Sequence, residues 1–256
     1  MFLQCFFGLS FLSFLVLSPP VNLQQPTLKT QVKLNEKLLA VEFPTPPSRK
    51  RAPARKRAGG SRGPCSPIIT EKLGIGLTAV MPENNIGTTV SSHPTVYLYV
   101  PKTNKQNAEF VLYDLTNENI DPIYETNISL PQSAGIIKVN LPKTVELQPD
   151  NTYVWYFGIT CDPDKPSLDY YIQGWLQRTS LTSEVKVKLQ KLEENPLEKA
   201  KLYAELSVWS ETITTLEKSR SAYPQAWKKL FQSIGLGEIA DSQIFDFSEE
   251  IQSSQR

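Results

Sequence analysis

Residues that carry chemistry are scarce in this chain. There is one histidine, His93. A multi-histidine metal site is therefore excluded, and a Ser-His-Asp triad would depend on that residue alone. His93 directly precedes Pro94 at the start of a strand and reads as structural; a hydrolase reading would rest on it entirely. There are three cysteines, Cys5, Cys65 and Cys161. No G-x-S-x-G, P-loop or G-x-G-x-x-G motif is present. Asp162, Asp164 and Asp169 gather in CDPDKPSLD, but the Gly and terminal Glu of a calcium loop are missing. Turn chemistry accounts for them. The composition implies no metal, no cofactor and no enzyme.

Long apolar runs are also lacking, with one exception. Phe6 to Leu17, FFGLSFLSFLVL, is too short to span a membrane but suits the h-region of a signal peptide. No Lys or Arg precedes it, and the small-residue site Val16-Leu17-Ser18 is followed by Pro19. Residues 1–20 are read as a signal peptide or N-terminal anchor, so the chain is expected in the periplasm or outside the cell. Removal of the leader would leave Cys65 and Cys161 as a pair, and an oxidising compartment favours a disulfide between them. The other reading is two buried thiols acting as small hydrophobes.

Charge is near balance overall, at +1, but unevenly spread. Arg49 to Arg62 holds seven basic residues and no acid, and residues 63–256 carry a net −7. Residues 21–64 combine this basic run with Pro and Gly, a composition that cannot bury enough apolar surface to offset chain entropy. They are expected to form a disordered linker. Arg49, Lys50, Arg51, Arg55, Lys56 and Arg57 would contact an anionic membrane surface, or would simply keep a tether solvated. Export leaves nucleic acid out.

The middle of the chain is organised around Tyr153–Arg178. In its first strand Tyr153, Trp155, Phe157, Ile159 and Cys161 alternate onto one face. In its second, Tyr170, Ile172, Gly174 and Leu176 form the core face. Tyr156, Tyr171 and Trp175 fall on the back of the sheet, a platform suited to a glycan unless another element covers it. Strands are expected over 74–80, 95–100, 108–114, 123–128, 135–141, 152–161 and 169–177, with turns at Asn117–Asn119, Asp121-Pro122 and Gln148–Asn151. Seven short alternating strands predict an antiparallel β-sandwich, immunoglobulin-like or similar, over residues 65–180.

The period then changes. Asn195-Pro196-Leu197-Glu198 reads as cap, first helical Pro and capping-box Glu. Amphipathic helices follow from Leu197, from Trp209 to Arg220 and from Gln225 to Ile234. The first two resemble a tetratricopeptide-type hairpin, with Ala200, Tyr203, Leu216 and Pro224 in matching places. They depart at Ser207, where the tight turn wants Gly, and at Thr212, where close contact wants Ala. A single such unit cannot stand alone. Residues 181–247 are therefore expected to form a helical layer packed on the sandwich, against Tyr156, Tyr171 and Trp175. A disordered tail is expected over 248–256.

An ordered set of short motifs runs through this region. It comprises Arg62-Gly63-x-Cys65, Pro94-Thr95 with Tyr99-Val100-Pro101, Glu109-Phe110, Leu141-Pro142, Tyr153-x-Trp155, Cys161, Gly174-Trp175-x-x-Arg178 and Trp209. In that order, over roughly residues 62–240, they resemble domain-of-unknown-function family 928, found mainly in cyanobacteria. Ser210-Glu211 departs from the family pattern after Trp209. The resemblance implies an exported protein with a basic or Gly-rich linker and supplies no catalytic residues. The function expected is a non-enzymatic binding or structural module of the cell envelope, its partner an envelope protein or a glycan.

Overall fold

The computed structural model describes residues 39–45, 74–116, 121–162, 164 and 170–247. In chain order the strands are β1 Thr78–Ala79, β2 Ile86–Thr89, β3 Thr95–Val100, β4 Asn107–Asp114, β5 Tyr124–Ser129, β6 Gly135–Asn140, β7 Thr152–Ile159 and β8 Tyr170–Arg178. Helices α1 Ser183–Gln190, α2 Pro196–Glu205, α3 Trp209–Lys218 and α4 Pro224–Ser233 follow, and β9 Ile244–Phe247 closes the series.

The strands form two sheets, β1-β3-β6-β9 and β2-β8-β7-β4-β5. Most pairs are antiparallel, as alternation and short turns predict. Two edge strands depart from this: β2 runs parallel to β8 and β9 parallel to β6. One apolar core joins the sheets into a sandwich. Its contents follow the strand period: Tyr153, Trp155, Phe157 and Ile159 from β7, with Tyr170, Ile172 and Leu176 from β8, are all buried. Gly174 lies among them because a Cβ there would sit 2.3 Å from the Trp155 ring. The turn before β7 is held by Tyr153, whose hydroxyl accepts from the Gln148 main-chain N–H at 2.7 Å. This is the geometry of a tyrosine corner.

The helical layer does not cover the face anticipated: it packs on the four-stranded sheet and along the β2 edge of the five-stranded one. Helix contacts with strands run to β2 and β3. Tyr97 of β3 donates to Thr214 of α3 at 3.3 Å, and Lys138 of β6 pairs with Glu217 of α3 at 3.5 Å. This explains why β3, TVYLYV, is buried on both faces: the five-stranded sheet covers one and helices the other. The helices thus stand on the outer side of the four-stranded sheet and reach the five-stranded one at its β2 edge. There Thr88, on the Trp175 side of the sheet, donates to the Ser207 carbonyl and accepts from the Trp209 N–H. Tyr156 and Tyr171 lie farther from that edge on the same face.

Three further elements extend or correct the sequence reading. β2 occupies a stretch given no strand, α1 is an unnamed helix within the expected helical span, and β9 lies within that same span as a strand. Within the expected linker, Val41 and Phe43 are 1% and 7% exposed. Phe43 meets the Trp209 ring edge-on at 5.1 Å, and its N–H donates to Ser233 Oγ at 3.0 Å. The linker expectation is therefore wrong for residues 39–45, which are packed against the helices. The leader, Arg49–Arg57, Cys65 and the 248–256 tail lie outside the described residues.

The helix hairpin forms despite its two departures. Ser207 takes the left-handed turn at φ +57°, and the N–H groups of Ser207 and Val208 close the helix end on Ala204 and Tyr203. Thr212 is fully buried, and its hydroxyl is absorbed by the Val208 carbonyl one turn back at 2.6 Å.

Candidate functional site

The outer face of the five-stranded sheet is built by register. Outward positions of β4, β7 and β8 align in three rows: Glu109–Gly158–Tyr171, Val111–Tyr156–Gln173 and Tyr113–Val154–Trp175. The three tyrosines therefore run diagonally across the face. Tyr113 meets Tyr156 edge-on at 5.8 Å between centroids, and Tyr156 meets Tyr171 at 6.4 Å, tilted by 49°. Glu109 and Glu125 lie beside them, and burial together with these two charges raises the Tyr113 hydroxyl above its usual range.

Tyr171 is 37% exposed, while Tyr113 and Tyr156 are half-buried. Gly158 keeps the space beside Tyr171 open, since a Cβ there would meet nothing closer than 3.7 Å. The band therefore presents ring surface and hydroxyls over a rigid sheet, with Gln173 and the two glutamates as polar neighbours. Of the three aromatics expected here, the structure brings Tyr156 and Tyr171 into contact. It places Trp175 apart, beyond Val154, with its indole N–H buried and without a hydrogen-bond partner. Tyr113 was missed, although Glu109, Val111 and Tyr113 alternate against the buried Ala108, Phe110 and Leu112.

A second polar cluster sits where α3 begins. Glu211 Oε1 accepts from Thr89 Oγ1 at 2.8 Å, Val90 N–H at 3.2 Å and Ser91 N–H at 3.0 Å. Its Oε2 is buried with no partner. Burial pushes this carboxyl above its ordinary range, against the pull of Thr89 and the main-chain donors. Beside it, Ser92 Oγ and His93 Nδ1 lie 2.8 Å apart, and His93 Nε2 lies 3.3 Å from the Lys143 carbonyl. That carbonyl selects the tautomer with hydrogen on Nε2, so Ser92 donates to Nδ1. Glu211 addresses the main chain and the Thr89 hydroxyl rather than the imidazole, so the cluster fastens a turn to a helix start.

Arg178, at the end of β8, donates to the Leu147 carbonyl. Asp164 N–H donates to Asp162 Oδ1 at 3.1 Å, the local turn expected of that loop; Asp169 is outside the described residues. Among the described residues no group of three or more metal-ligating side chains comes together, and no helix is long and apolar enough to cross a membrane. Cys161 is buried just after β7, its Sγ 3.3 Å from the Ile159 carbonyl oxygen.

No curated protein matches the chain. A family model does: Domain of Unknown Function (DUF928) matches residues 57–244, a span taking in β1 to β8, all four helices and the tyrosine band. The chain belongs to that family.

Proposed function

We propose that the protein is an exported, non-enzymatic binding module whose working surface is the tyrosine band, and that its ligand is a glycan. The observation that carries the reading is the diagonal Tyr113–Tyr156–Tyr171 on the outer face of the five-stranded sheet. Aromatic rings on a rigid sheet offer apolar surface to the C–H faces of sugars, and hydroxyl and amide groups beside them suit sugar hydroxyls. The rings are tilted to one another, so the surface fits a single twisted chain better than a flat crystalline array. Trp175 supports the band from its edge by packing beside Val154. Export would follow from the Phe6–Leu17 run, and the basic residues Arg49–Arg57 would hold the module near an anionic membrane surface.

The test is a glycan array followed by titration calorimetry, with the intact chain and a Tyr156→Ala/Tyr171→Ala variant. Losing two stacking rings should weaken binding at least about tenfold, while His93→Ala should leave it unchanged. Binding indifferent to the double substitution, or no glycan bound at millimolar concentration, would overturn the reading.

The same reading makes Cys65 and Cys161 a disulfide. Its support is the buried, strand-end position of Cys161 and the pairing left after loss of Cys5. The enclosed loop would be nearly a hundred residues, for which the chain-entropy model gives about 4–5 kcal/mol. Titration of the exported, denatured protein should find no reactive thiol; two reactive thiols would refute the bond.

A further inference from the structure

The contact made by residues 39–45 brings a segment from before the family match onto the core. Its receptor residues, Trp209 and Ser233, lie inside the family match at 57–244, whereas Val41 and Phe43 lie outside it. The surface at Trp209 and Ser233 thus receives a segment that lies N-terminal to the matched span. After Leu39, which is helical, the seated segment belongs to no sheet, and its burial alternates, with Val41 and Phe43 inward and Glu42 and Pro44 outward. Its anchors are two side chains, Val41 and Phe43, while Leu39, Glu42, Pro44 and Thr45 stay exposed. One main-chain N–H, that of Phe43, reaches Ser233 Oγ, and Ser233 in turn donates to the Leu230 carbonyl at 2.7 Å. Two alternate anchors and one main-chain bond are how extended peptides are recognised.

We infer that the surface between the start of α3 and the end of α4 is a peptide-docking site. It takes an extended segment with a β-branched aliphatic residue two positions before Phe, and residues 39–45 occupy it as a displaceable ligand in cis. A partner presenting the same pattern would compete for the site, and its binding would free the segment that leads into the basic run. The site is separate from the tyrosine band, so failure of the glycan reading leaves it untouched.

The test uses the full chain carrying Val41→Ala/Phe43→Ala and a fluorescent peptide of residues 36–46. The folded variant should bind the peptide saturably, and the wild-type chain at least about tenfold more weakly because its own segment competes. The peptide carrying Phe43→Ala should not bind. Absence of saturable binding to the folded variant, or equal binding to both chains, would overturn the inference.

If the variant fails to fold, a protease site inserted after Pro47 severs the segment without altering its anchors. The severed segment should then be displaced by excess peptide, read by native mass spectrometry. Retention against about a hundredfold excess would make it a fixed part of the core and sink the proposal. A dimer abolished by Phe43→Ala would place the segment on a second copy and overturn the cis assignment.

Discussion

Glu211 is the residue whose burial has the clearest consequence. Three donors converge on Oε1, yet Oε2 is buried without a partner, and loss of hydration outweighs the bonds in setting its proton affinity. Its folded pKa lies above its ordinary value of 4.5, so ionisation favours unfolding. The stabilising contribution of the protonated form is complete below 4.5. It is lost as pH rises through the folded pKa. Glu211→Gln keeps an oxygen for the three donors and never ionises. Its stability relative to wild type should therefore improve as pH is raised from 4.5, measured by urea melts across that range. A difference that does not change with pH would mean the carboxyl is better solvated than its surroundings indicate. Glu211→Ala leaves the donors of Thr89, Val90 and Ser91 without an acceptor and should cost about 1–3 kcal/mol below pH 4.5, a deficit that shrinks as pH rises in parallel with the gain of the Gln variant. Comparing the two variants separates the charge of this residue from its hydrogen bonds.

At the scale of elements, those carrying their own start and stop signals were legible and those defined by distant pairing were not. α2 announces itself through Asn195, whose side chain accepts from the Glu198 N–H, with Pro196 at the first helical position. α4 likewise opens at Pro224 and buries Trp227, Leu230 and Phe231 on one face. In α1, SEVKVKLQ, the apolar residues alternate with period 2 and only Leu189 is buried, so no helical stripe is written there. β2, IGTT, has one large apolar residue and exists because β8 supplies its parallel ladder. β9 depends on β6, more than a hundred residues back, and follows helices that mask the return to strand. The back face of β7 and β8 misled for a different reason. Aromatic residues there looked in want of a cover, but tyrosines that contact one another shelter part of their own surface. The better signal for the helices' location was the near-continuous apolar run of β3, which an outward-facing sheet would not carry. The tyrosine band was two-thirds legible: alternation alone gives Tyr156 and Tyr171, and the same rule applied to β4 adds Tyr113.

For the molecule as a whole, the layer order decides how it should unfold. The helices cover the four-stranded sheet, and the same C-terminal segment returns β9 to that sheet's edge beside β6. Lys138 ties the three together, pairing with Glu217 of α3 at 3.5 Å and Asp246 of β9 at 2.9 Å. Trp227 and Arg220 secure the return, donating to the Ala240 carbonyl and, for Arg220, also to that of Ser242. Sandwich and helical layer consequently share one core rather than owning one each. A chain ending at Arg178 would lose a strand and expose the outer faces of β3 and β6, including Tyr97, Tyr99 and Ile136, which are almost wholly buried. At ~25 cal/mol per Å² of apolar area, uncovering these side chains forfeits several kcal/mol, comparable to the whole stability of a typical domain. The intact protein should therefore melt in a single transition, with calorimetric and van't Hoff enthalpies in agreement. The chain ending at Arg178 should show no cooperative melt and should bind a dye for exposed apolar surface. Two resolved transitions in the intact chain, or a truncated sandwich that melts cooperatively near the full-length temperature, would mean that the helices and β9 are an appendage.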